Sequence, residues 1–204
     1  MRSAISIFLT LFGAASCVCQ SSALLYKQPT VSLSFGAGIF HPPKGSTTFW
    51  NVGPGGSTRF MITVSKPVSI GIGVDAAFFS FDEQAFRNAY PTVPVRSKNM
   101  MMANVYLAMK CMVMPSMRLS PYVGLTLGAT RLSEAIYGEV IDSVRVNYYN
   151  IPARTTPTFG ISLGAGIYIV QWLSFDAEAK TNYVVNNPDL KAAFLFLGGF
   201  RFTL

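Results

Sequence analysis

Seven ionisable residues occupy positions that alternate with apolar ones: Arg59, Asp75, Lys110, Asp176, Glu178, Lys180 and Arg201. Gathered in one enclosed space, these four cations and three carboxylates must pair with one another, because an isolated buried ion is far costlier than a paired one. Such a set can serve as a structural ionic plug or as a path for a small ion or proton. Asp176 and Glu178 stand two apart, and Arg201 follows in the next alternating stretch, so Arg201 with one of these carboxylates is the favoured pair. A second group has the types of a nucleophile and its base: His41, the only histidine, with Ser80 and Asp82. Nucleophilic catalysis needs the base oriented beside the nucleophile, and no local motif ties these three together. His41 runs into Pro42-Pro43 and reads as the start of a loop. No catalytic residue, metal ligand or cofactor is therefore assigned. Of three cysteines, Cys17 and Cys19 lie near the N-terminus and Cys111 stands alone, which suggests neither a disulfide framework nor a metal site.

The elements that carry these residues follow from a period of two, the signature of strands whose side chains point alternately to opposite faces. Eight such stretches occur: about Thr30–Phe40, Thr58–Lys66, Val68–Phe81, Met100–Val113, Pro121–Thr130, Thr158–Val170, Trp172–Val184 and Ala192–Leu204. In the sixth, Phe159, Ile161, Leu163, Ala165, Ile167 and Ile169 alternate with Gly160, Ser162, Gly164 and Gly166. One face is apolar throughout, and the other is small or polar and holds the seven charges. A soluble barrel of the lipocalin kind puts its large apolar side chains inside. A face of Gly and Ser suits a narrow, crowded interior instead, which leaves the apolar face for lipid.

Composition agrees. Half the residues are apolar and only 12% are charged, yet after the first thirty no run reaches the ~18 apolar residues of a membrane helix. The formal charge is +7, but the sixteen Lys and Arg are scattered singly, unlike the basic stripe of a nucleic-acid binder. Met1-Arg-Ser followed by Ala4 to Ala15 reads as a secretory signal peptide over residues 1–23, with cleavage anywhere between 17 and 23. Residues 24–204 then form one domain, and no second domain is expected after it.

Long connections alternate with tight ones: about Phe40 to Ser57, Lys66-Pro67, Asp82 to Asn99, Met114 to Ser120, Arg131 to Pro157, Gln171, and Val185 to Lys191. Outer-membrane barrels have short periplasmic turns and longer outer loops. Gly45 to Gly56 reads as flexible with Phe49 and Trp50 exposed, and Ser143 to Asn150 alternates again, suggesting a hairpin that presents Tyr148 and Tyr149. These four aromatics are the expected surface contacts for an extracellular ligand, since a protruding strand edge can pair with a foreign strand. Pro91, Pro94, Arg96 and Lys98 lie in another long loop, where the two cations suit lipopolysaccharide phosphates. Phe40, Phe78, Phe159, Trp172, Tyr183, Phe194 and Phe202 fall near strand ends, where interfacial girdles form.

The last stretch alternates Phe194, Phe196, Gly198, Phe200, Phe202 and Leu204. It resembles the C-terminal strand of bacterial outer-membrane barrels, which the assembly machinery reads as a signal, with Phe200, Phe202 and Leu204 as the signal residues. Those strands usually end in Phe, so Leu204 departs from the pattern. From about residue 28 onward the eight spans are similar to the small OmpA/OmpX-type barrels. The resemblance implies an all-β fold, an eight-stranded antiparallel up-and-down transmembrane β-barrel in the bacterial outer membrane, in contact with lipid and lipopolysaccharide. Its function is expected to be structural or surface-interacting. The alternatives are a narrow ion or small-molecule conduit, a lipid A-modifying enzyme built on His41, and a soluble ligand binder.

Overall fold

The computed structural model describes residues 30–42, 49–89, 91, 99–113, 118–133, 135–139, 148–151, 153–184 and 192–204. The signal-peptide reading, the residues Pro94, Arg96 and Lys98, and most of the stretch from Ser143 to Asn150 lie outside the described residues. In chain order the elements are β1 (Thr30–His41), β2 (Gly53–Ser65), β3 (Val68–Phe79), α1 (Glu83–Ala89), β4 (Met100–Met112), β5 (Leu119–Leu132), β6 (Ala135–Glu139), β7 (Tyr148–Ile151), β8 (Arg154–Val170), β9 (Leu173–Val184) and β10 (Ala192–Thr203).

Eight strands close into an antiparallel up-and-down barrel in the order β1-β10-β9-β8-β5-β4-β3-β2. The seam joins the first strand to the last, from Ser32 opposite Thr203 to His41 opposite Phe194, and the Leu204 amide donates to the Val31 carbonyl at 2.8 Å. The two-residue turns Lys66-Pro67 and Gln171-Trp172 lie at one end, the turn end. At the other end, the loop end, β6 and β7 form a separate two-stranded hairpin, with Ala135 opposite Ile151. Tyr148, Tyr149 and Asn150 belong to the second arm of this hairpin, and Ala135–Glu139 is the first.

Alternation decides which way each side chain faces. Phe35, Phe60, Ile72, Leu107, Leu163 and Phe196, from six different strands, all point outward and are exposed. At the turn end Trp172 stacks on Phe202, and at the loop end Phe159 stacks on Tyr183. Among the described residues no helix is long and apolar enough to cross a membrane; the exposed large apolar side chains lie mostly on the strands.

Two expectations are corrected. Phe40 is not a girdle residue: it faces inward and is fully buried. The glycine-rich segment before Thr58 is not a loop, because β2 begins at Gly53 and pairs with β1 there, Phe40 opposite Gly53. Glycine weakens a strand taken alone, which is why the sequence reads as flexible. Here its missing side chain is what the Phe40 ring needs, since a Cβ on Gly55 would lie 2.5 Å from that ring. The helix α1 is also additional. Asp82 caps it, accepting the Ala85 amide at 2.9 Å, and Arg87 reaches back toward Glu83 one turn earlier.

Candidate functional site

The inner wall is organised by β9. Its inward residues Asp176, Glu178 and Lys180 follow one another at a spacing of two, and each pairs with a different strand across the lumen. Lys180 Nζ donates to Asp75 Oδ2 on β3 at 2.7 Å. Arg59 on β2 grips Glu178 with both terminal nitrogens, Nη1 to Oε2 and Nη2 to Oε1, the latter at 2.8 Å. Lys110 on β4 donates to Asp176 Oδ2 at 2.9 Å. Fork-to-carboxylate geometry makes the Arg59–Glu178 pair directional as well as charged.

Two tyrosines tie these pairs together. Tyr106 accepts from Arg59 Nε at 2.9 Å and donates to Asp75 Oδ1 at 2.8 Å, while the Lys180 ammonium sits 3.5 Å from its ring centroid. Tyr122 donates to Glu178 Oε2 at 2.8 Å and lies beneath the Lys110 ammonium, 3.4 Å from the centroid. Toward the loop end, Asn104 donates to Asp75 at 3.4 Å and accepts from the hydroxyls of Thr130 and Thr158. Toward the turn end, Arg201 Nε donates to Ser174 Oγ at 2.9 Å, and its Nη2 stands 3.5 Å from Asp176 Oδ1.

All seven charges named from the sequence face this lumen, and each is part of the network. The expected partnership of Arg201 is the loosest of the four ion pairs. Arg201 faces Asp176 and leaves Glu178 to Arg59. Alternation identifies residues on adjacent strands, but it carries no information on which groups meet along a chord of a closed ring. Alternation puts Tyr106 and Tyr122 on the inner face but does not single them out. Their signal is the glycine beside each one, Gly73 opposite Tyr106 and Gly164 opposite Tyr122. A Cβ on Gly73 would lie 2.6 Å from the Tyr106 ring, so the small residues house the large ones.

Above the ionic layer the lumen is closed by apolar side chains. Phe40, Phe79, Met100, Met102, Leu132 and Leu195 are buried there, and Trp50, Phe81 and Phe86 continue the same cluster. Trp50 forms a bridge to Phe81, the Asn51 amide donates to the Ser80 carbonyl, and Phe49 packs on Phe81 and Phe86. The segments after β1 and β3 are thus fastened to each other over the barrel mouth. Trp50 is only 6% exposed, which corrects the expectation that Phe49 and Trp50 form a free surface contact. Tyr148 and Tyr149 lie on β7, at the loop end.

His41 is exposed on the outward face of β1 against Phe196, and Asp82 is occupied in capping α1. The terminal residues Phe200 and Leu204 are exposed, and Phe202 is half-buried beneath Trp172.

The network borders a cavity of about 60 Å³, lined by Ser32, Ser57, Arg59, Lys110, Glu178 and Arg201 among others. That volume holds a few water-sized bodies, against the ~10–15 Å³ that one needs, and is far from a solute channel.

Solved structures share this fold. Neisserial surface protein A aligns over 86% of this chain and 97% of its own, with a TM-score of 0.55 at 13% identity. A major outer membrane protein from Thermus thermophilus aligns over 87% and 100%, with a TM-score of 0.57 at 10% identity. The outer membrane protein OprG from Pseudomonas aeruginosa aligns over 86% and 95%, with a TM-score of 0.54 at 8% identity. No family model matches the sequence, and no curated protein matches it. The chain has the eight-stranded fold of the small outer-membrane β-barrels.

Proposed function

We infer that this protein is an integral outer-membrane barrel of structural or surface-interacting role, whose contacts with partners are made at its loop end and not through its lumen. The observation that carries this reading is the inverted polarity of the closed ring, with large apolar side chains exposed on every barrel strand around a filled, ion-paired interior. In water that surface is unfavourable by roughly 25 cal/mol per Å²; in a bilayer it is the surface required. A ligand-binding barrel of the soluble kind would have the opposite arrangement. A conduit is disfavoured by the apolar plug stacked on the ionic layer, and a lipid A-modifying enzyme by the outward position of His41 against Phe196.

On this reading residues 1–23 are the signal that exports the chain, and Phe200, Phe202 and Leu204 address the assembly machinery. Lipid and lipopolysaccharide surround the barrel. The β6–β7 hairpin supplies the recognition edge, with Tyr148 and Tyr149 as the contacts for an extracellular ligand. Electrophoresis of outer-membrane fractions in SDS tests the first part: the unboiled protein should run as a compact species and shift on boiling. Recovery from the soluble periplasmic fraction without a shift would defeat the membrane assignment. Deleting residues 135–151 tests the second part, because the shift should survive while attachment to a host-cell or matrix surface is lost. Attachment that persists after the deletion would place recognition elsewhere.

A further inference from the structure

The ionic layer does not balance. Lys180 with Asp75 and Arg59 with Glu178 are one-to-one pairs, but Lys110 and Arg201 share the single carboxylate of Asp176. Lys110 has the better geometry, at 2.9 Å against 3.5 Å. Arg201 is 5% exposed, and its buried Nη2 makes no hydrogen bond. A buried guanidinium nitrogen without an acceptor is costly. This one belongs to a residue lining the cavity described above, together with Ser32, Ser34, Ser57 and Ser162, whose hydroxyls can turn to donate.

We propose that this cavity is a binding site for one small monovalent anion of halide or nitrate size, held against Arg201 Nη2 with Lys110 supplying the second positive charge. Charge decides the sign of the occupant. The five ionised residues lining the cavity are Arg59, Lys110, Arg201, Asp176 and Glu178, a sum of +1. Both Glu178 oxygens accept hydrogen bonds, and Asp176 Oδ2 holds Lys110 while its Oδ1 faces Arg201 and Ser174. A cation would find no carboxylate oxygen clear of a donor, and it would raise the enclosed charge. One monovalent anion neutralises the cavity and gives Arg201 its missing acceptor. Size sets the rest, since a space of about 60 Å³ excludes a sugar or a lipid headgroup.

Crystals of the full chain grown in sodium bromide should show an anomalous peak beside Arg201 Nη2. In detergent, exchanging chloride for gluconate at constant ionic strength should lower the thermal midpoint by about 2–4 °C, the size of shift expected for modest ligand linkage in a chain of this length. Lys110→Met leaves Arg201 and Asp176 as a one-to-one pair, so that variant should fold, lose the bromide peak and unfold at the same midpoint in both salts. Arg201→Gln should do the same by removing the donor. A cavity that holds only water gives no peak and equal midpoints in the unmodified protein, and that result overturns the site. Retention of the salt difference by Lys110→Met also overturns it, because the effect would then be one of the solvent on the whole barrel.

Discussion

Lys180 and Asp75 stand on strands four steps apart in a ring of eight, yet their side chains meet at 2.7 Å with neither exposed. The pair is therefore a pin across the widest chord of the barrel, and Tyr106 closes it from the side by bonding Asp75 and lying under Lys180. Breaking a buried pair by deleting one partner is expensive because the other charge is stranded. Lys180→Met should lower the unfolding free energy by about 3–5 kcal/mol, and Asp75→Leu by a similar amount. The double variant should lose much less than the sum of the two. Denaturant titrations in lipid vesicles would show this, and simple additivity would mean the two charges do not depend on each other.

The two tryptophans report on membrane placement independently. Trp172 is 56% exposed on the outward face near the turn end, whereas Trp50 is 6% exposed inside the cap. Brominated acyl chains quench indole fluorescence by contact. They should quench the protein strongly, and Trp172→Phe should remove most of that quenching. Strong residual quenching after the substitution would contradict the assigned faces.

Planar bilayers holding the purified barrel should show no steady conductance. Single replacements at Lys110 or Arg201 should leave the record silent, because the apolar cluster of Phe40, Met102 and Leu195 closes the lumen above them. Conductance in the unmodified protein that changes with either replacement would restore the conduit reading.

Phe86 is fully buried between the loop segments and contacts both Phe49 and Phe81. Phe86→Ala should weaken this cap by about 3–5 kcal/mol, the usual loss for truncating a buried aromatic. The barrel below it has its own hydrogen-bonded ring and should stay folded. Brief proteolysis should thus cleave the variant near α1 while the core fragment keeps its heat-dependent mobility. Loss of the mobility shift itself would show that the cap and barrel fold as one unit.

The sequence was most informative where one rule acts repeatedly. Alternation alone separated Phe35, Phe60 and Leu163 from Ser32, Arg59 and Ser162, and the rhythm of long and short connections ordered the strands. It failed where two rules compete. Gly53 to Gly56 has a loop's composition, but it is a strand because Phe40 occupies the space its side chains would take. It also failed where partners meet through space. Arg59 and Glu178 are separated by β1 and β10 on the shorter path round the ring, and nothing in either strand announces the other. Asp82, Glu83 and Arg87 did carry a helix signal, a cap followed by a pair one turn apart, in a segment short enough to read as loop.

The seam gives the chain a clock. Pairings such as β2 with β3 and β8 with β9 join neighbours across two-residue turns and form early, since little chain entropy is lost in closing them. The pairing of Ser32 with Thr203 waits for nearly all the intervening chain to be in place. Until then β1 and β10 are open edges, with rows of amides and carbonyls that hydrocarbon cannot satisfy. Entry into a bilayer and closure of the ring should for that reason be a single late event, paced by a contact between strands at opposite ends of the barrel sequence.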